Sequence, residues 1–136
     1  MTVIVCISER GGMMFNGRRQ SRDKAVIENI VGAIGDGVLF VSEFSAPLFA
    51  ESNLSVISVS EPASVADVGD FVFLEDTGVG ENINKVEKFV VYRWNREYPA
   101  DFSLDLHPKD IGMKLVDSVE FSGKSHEKIT REIWEW

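Results

Sequence analysis

Cysteine is almost absent from this chain, and the single one, Cys6, excludes an internal disulfide framework and the stapled folds that depend on it. Cys6 stands inside an apolar run, which reads as a small buried hydrophobe rather than a nucleophile. Histidine is nearly as scarce. His107 and His126 lie in polar segments without metal-ligand spacing, so no metal site is expected. Cations are outnumbered, with 14 Lys and Arg against 22 Asp and Glu and a net charge of −8. That sign argues against nonspecific nucleic-acid binding, which needs Lys and Arg to neutralise phosphates, and against docking on anionic membranes. Long apolar runs are also missing; none approaches the ~20 residues of a membrane span. The first apolar run covers only Val3 to Ile7 and has no basic flank, so no signal peptide is read and the cytoplasm is the expected compartment.

What is present suits one domain spanning residues 1–136, large enough to bury roughly two-thirds of its unfolded surface. Thr2 to Ile7 is rich in β-branched residues and nearly continuous in apolar character, the pattern of a strand buried on both faces. Gly11-Gly12 marks a turn, and Met13 to Arg22 has no clear period. Ser21 is placed to cap a helix starting near Arg22, whose apolar stripe is Val26, Ile27, Ile30, Val31 and Ile34. Further strands are expected at Val38 to Val41, Leu54 to Val59, Phe71 to Leu74 and Phe89 to Tyr92, with short helical turns at 42–50, 64–68 and 81–85. Two late strands, near 114–121 and 128–135, are joined by a turn at Gly123-Lys124 and form an antiparallel hairpin on a mostly parallel sheet. The fold class is therefore α/β with a mixed sheet.

The order of these elements resembles dihydrofolate reductase nearly end to end. The segments that carry the likeness are Val3 to Phe15, Arg22-Asp23-Lys24, Val38 to Val41, Val56 to Pro62, Asn84 to Val91, Ser125-His126 and Glu132 to Glu135. The resemblance implies an eight-stranded, mostly parallel sheet flanked by helices, with an antiparallel C-terminal end. It implies an acidic residue at the start of the first helix, where Asp23 stands, as the catalytic carboxylate that hydrogen-bonds a pterin or folate. Val5, Cys6 and Ile27 fall at substrate-binding positions of the family, and Ser60, Gly78 and Gly80 at positions for NADPH.

The chain departs from the family where the cofactor is anchored. Glu75 and Asp76 replace a glycine pair, so carboxylates stand where bare backbone would meet a pyrophosphate. Ser42 to Ser45 offers no cation for the 2′-phosphate of NADPH, and no arginine lies between Ala46 and Pro62 for a folate tail. Gly78-Val79-Gly80 supplies at most a displaced turn. Three functions follow: a divergent dihydrofolate reductase with at most weak activity, a reductase of another substrate, or an inactive relative that binds a protein partner. An exposed patch at Trp134 and Trp136 would favour the last. The cluster Arg18-Arg19-Gln20-Ser21-Arg22 reads as a solvated loop or an anion contact. The serines lack a nucleophile-elbow setting, and Trp94, Trp134 and Trp136 read as sheet packing.

Overall fold

The computed structural model describes residues 1–136. In chain order the strands are β1 (Thr2–Ile7), β2 (Gly12–Phe15), β3 (Arg18–Arg19), β4 (Val38–Val41), β5 (Ser55–Ser58), β6 (Phe71–Leu74), β7 (Lys88–Arg93), β8 (Phe102–Ser103), β9 (Lys114–Phe121) and β10 (Ile129–Glu135). The α-helices are α1 (Lys24–Ile34) and the short α2 (Pro62–Val65), and 3₁₀ turns cover Ala46–Phe49, Gly80–Lys85 and Pro108–Ile111. One sheet has seven strands in the order β5-β4-β6-β1-β7-β10-β9, and a second has three in the order β3-β2-β8. β5, β4, β6, β1 and β7 run parallel. β10 is antiparallel to β7, and β9 to β10, so the late hairpin docks through its second strand. The chain is thus α/β with a mostly parallel mixed sheet, as its strand runs indicate. It has seven main-sheet strands and one long helix, against the eight strands and several helices that the resemblance implies.

The central position of β1 follows from its residues. A strand sends alternate side chains to opposite faces, and both faces of β1 are covered. Ile4 packs with Val26, Ile30 and Ile34 of α1, while Val3, Val5 and Ile7 join the core on the other face with Val72, Leu74, Phe89 and Val91. In α1 the buried residues Val26, Ile30 and Ile34 recur every fourth position and form one stripe against the sheet. Each such side chain, fully buried, stabilises the fold by about 1.5–3 kcal/mol.

The cap of α1 differs from the sequence reading. Asp23, in extended conformation, is the N-cap; its side chain accepts the Ala25 N–H, and the helix begins at Lys24 rather than near Arg22. Ser21 lies two residues before the cap, and its hydroxyl is 2.8 Å from His126 Nε2. The aperiodic stretch after Gly11 is also more ordered than its pattern suggests. β2 and β3 pair as a hairpin around Asn16 (φ 53°) and Gly17 (φ 72°). Asn-Gly is a strong signal for a turn with both central residues at positive φ. The hairpin carries Arg18 to Arg22 to the C-terminal ends of the parallel strands.

β9 is the outer edge of the sheet and is exposed along nearly its whole length, including Leu115, Val116 and Val119. Trp134 is buried, whereas Trp136 is 59% exposed with its indole N–H on the Val86 carbonyl. The two tryptophans therefore do not form one exposed patch. No helix is long and apolar enough to cross a membrane.

Candidate functional site

Two buried carboxylates, Asp23 and Glu75, mark the C-terminal ends of the parallel strands. Asp23 precedes α1 and is 2% exposed. Its oxygens accept from Ala25 N–H (2.8 Å), Lys124 N–H (3.0 Å), Ser125 N–H (2.8 Å) and Ser125 Oγ (3.1 Å), and Oδ2 lies 3.0 Å from His126 Nδ1. Burial pushes this carboxyl up, but the donors from Lys124, Ser125, His126 and Ala25 outweigh it and hold the group well below the usual carboxylate range. Asp23 is therefore ionised at neutral pH. An ionised partner at Nδ1 favours the tautomer that carries its proton there and leaves Nε2 as an acceptor.

The imidazole of His126 is itself buried. Its ring stacks on Trp94 at a centroid distance of 4.7 Å, and Nε2 meets Ser21 Oγ at 2.8 Å and Tyr98 Oη at 3.3 Å. Sequence reading placed His126 in a polar segment and Trp94 in sheet packing. The structure instead brings them together with Asp23 and Ser21. Only the Ser125-His126 likeness to a reductase hairpin hinted at this, since Asp23 and Ser21 lie 103 and 105 residues from His126 in sequence.

Glu75 follows β6 and is also buried. Arg19 grips it with two hydrogen bonds, Nε to Oε2 at 2.9 Å and Nη2 to Oε1 at 3.1 Å, and Ser45 Oγ donates to Oε1 at 2.7 Å. The guanidinium lies 4.5 Å from the Phe44 ring centroid and also donates to the Phe44 carbonyl. Ser42 Oγ donates to Asp76 at 2.7 Å. Within the basic cluster, Arg19 is thus an internal partner of Glu75 rather than a solvated residue.

Between the Asp23 and Glu75 carboxylates lies a cavity of about 20 Å³, lined also by Cys6, Arg19, Ser21, Arg22, Ile27 and Leu48. That is room for about one water molecule. Arg22, Ile27 and Leu48 also line an open groove of about 600 Å³ between α1 and residues 48–53, so the two spaces adjoin. Of the expected substrate positions, Cys6 and Ile27 line the cavity, whereas Val5 points into the core on the opposite face. Burial, followed by the charge of Glu75, raises the Cys6 thiol well above its ordinary value and keeps it protonated.

The expected cofactor positions fall elsewhere. Ser60, Gly78 and Gly80 line neither the cavity nor the groove. The Val79 and Gly80 N–H groups donate to the Asp105 carboxylate at 3.1 and 2.8 Å, so an internal anion already occupies this turn. Of the two arginines at the cavity, Arg19 is committed to Glu75, while Arg22 is exposed at the mouth of the groove. At an effective dielectric near 20, a carboxylate about 6 Å from a phosphate charge costs on the order of 2–3 kcal/mol before screening. The residues at these positions do not fit NADPH. His107 is likewise engaged locally: its Nδ1 accepts the Lys109 N–H, its ring meets Trp134 edge to face, and burial holds it below its ordinary pKa. No group of three or more His, Cys, Asp or Glu side chains converges as a metal site. No protein-family model matches the chain, and no curated protein matches it.

Proposed function

We propose that this chain is a divergent dihydrofolate-reductase-like domain that binds a pterin- or folate-class molecule in the cleft at Asp23, with NADPH-dependent reduction weak or absent. The observation that carries this reading is the position of Asp23: a carboxylate at the N-cap of the first helix, bordering the cavity between α1 and the C-terminal ends of β1 and β6, with its oxygens held by Ala25, Lys124, Ser125 and His126. Open parallel sheets bind ligands at the C-terminal ends of their strands. The adjoining groove of about 600 Å³ falls within the range of about 300–1,000 Å³ used for small ligands. A bicyclic ring is too large for the inner cavity as it stands, so contact with Asp23 requires Arg19 to leave Glu75 and a donor to leave the Asp23 carboxylate. Hydride transfer needs a firmly anchored donor, and the carboxylates of Glu75, Asp76 and Asp105 work against one.

Thermal melting with dihydrofolate, folate or pterin, each with and without NADPH, tests the reading. A ligand at a hundredfold above its Kd stabilises by about 2.7 kcal/mol. The pterins are expected to raise the melting temperature, and NADPH alone to leave it unchanged. No shift with any pterin at saturating concentration overturns the binding assignment. NADPH oxidation at about 1–1,000 turnovers per second, the ordinary enzyme range, overturns the weak-activity assignment.

A further inference from the structure

We propose that Ser21, His126 and Asp23 form an acyl-transfer site, with Ser21 Oγ as the nucleophile, acting on small esters with a short acyl group such as acetyl. This goes beyond the pterin reading and requires neither a pterin nor NADPH. The geometry is a continuous relay: Asp23 Oδ2 to His126 Nδ1 at 3.0 Å, and His126 Nε2 to Ser21 Oγ at 2.8 Å. A hydroxyl, an imidazole and a carboxylate in this order are recognised as a nucleophilic triad by geometry and role rather than by sequence position. Two features distinguish the arrangement from a plain buried network. Trp94 stacks on the imidazole and fixes its plane. Ser21 and Asp23 both border the cavity, but Ser21 is partly exposed whereas the Asp23 side chain has no solvent-accessible surface.

The chemistry balances with water as the only co-reactant. Ser21 Oγ attacks the ester carbonyl carbon as its proton passes to His126 Nε2, and Asp23 stabilises the resulting imidazolium. Collapse of the tetrahedral adduct breaks the bond to the alcohol oxygen, which takes the proton from Nε2 and leaves as the alcohol. Water, deprotonated by His126, then attacks the acyl-serine, and the acid departs as Ser21 regains its proton. The N–H groups of Arg22 and Asp23 donate to nothing within the chain, and the Arg22 N–H, on the residue after the nucleophile, is the donor assigned to the developing oxyanion. Tyr98 Oη, 3.3 Å from Nε2, is a second hydroxyl at the base and helps keep it an acceptor. The cavity of about 20 Å³ admits a group no larger than a methyl, and the groove along α1 takes the alcohol portion.

The test uses the full chain with a methylphosphonofluoridate probe, whose methyl group matches the cavity, and with p-nitrophenyl acetate, butyrate and hexanoate. The expected result is a stoichiometric phosphonyl adduct mapped to Ser21, and acetate hydrolysed at least about tenfold faster than hexanoate. Ser21→Ala is expected to abolish the adduct while melting as the parent chain does, and His126→Gln to lower kcat by about 10²–10⁴-fold, the usual worth of a general base. Asp23 acts through His126 as a positioning residue, so Asp23→Asn is expected to lower kcat with little change in KM. The absence of any adduct on the folded parent chain, an adduct on another residue, or ester hydrolysis unchanged in Ser21→Ala overturns the proposal. None of these outcomes bears on pterin binding, which the melting experiment reads separately.

Discussion

The two buried carboxylates solve the same physical problem in different ways. Asp23 is satisfied mainly by backbone: the first turn of α1 and the N–H groups of Lys124 and Ser125 converge on it. Glu75 is satisfied by side chains, those of Arg19 and Ser45. Backbone donors cannot turn away without moving their elements, so Asp23 joins the start of α1 to the β9–β10 turn. A guanidinium on a long side chain can swing away and leave its own backbone in place. The Asp23 corner is therefore tied through backbone, and the Glu75 corner through side chains alone.

The largest effect that would test this contrast comes from Asp23→Ala. It removes a helix cap, worth about 0.5–2 kcal/mol, and strands buried donors at about 1–3 kcal/mol each. A loss of about 3 kcal/mol in urea unfolding is expected, and a loss below about 1 kcal/mol would show that Asp23 is not a joint. The same carboxylate sets an acid limb. Its folded-state pKa lies below the unfolded value near 3.9, so its stabilisation is complete above about pH 5 and declines as the pH falls through and below 4. Asp23→Asn should flatten that limb in a pH series of melts. A limb of unchanged steepness would assign it to other carboxylates.

Gly123→Ala probes the same joint from the turn. A Cβ there would collide with Asp23 Oδ2 and come within 2.9 Å of the His126 carbonyl. Overpacking of this kind costs about 1–3 kcal/mol, so a loss near 2 kcal/mol is expected on denaturant titration. Glu75→Gln, at the other corner, keeps the shape but removes the charge that Arg19 grips. A smaller loss, about 1–2 kcal/mol, is expected because Arg19 is 24% exposed and can turn to solvent. The variant should also bind pterins more tightly in a melting or calorimetric titration, since the cavity then opens more readily. Unchanged affinity with lowered stability would show that the Glu75 corner is a joint as well. The smallest effect is expected from Arg10→Ala, which breaks an exposed pair with Glu97 at 3.1 Å. Surface pairs of this kind contribute about 0–1 kcal/mol, so the melting temperature should barely move.

The contrast also explains what could be read from the chain directly. The strand runs from Thr2 to Tyr92 and the late hairpin were legible because apolar and β-branched residues cluster there within a few positions of one another. The stripe of α1 was legible because Val26, Ile30 and Ile34 recur at helical spacing. Asp23 was singled out by the resemblance to dihydrofolate reductase and not by its spacing, and the cap was expected at Ser21. β2 and β3 were missed because such short strands show no period, and only Asn16-Gly17 announces their turn.

By itself, then, the sequence determined the strands and helix whose signals are local, together with a sheet buried on both faces. Tertiary structure alone decided what surrounds the Asp23 carboxylate. His126 reaches Asp23 across 103 positions, and Arg19 reaches Glu75 across 56. Pairings this distant leave no periodicity in the chain, because the order of strands in the sheet sets them rather than the spacing of residues along it. The same closure brings Ser21, an unremarkable serine in an aperiodic loop, to within 2.8 Å of an imidazole.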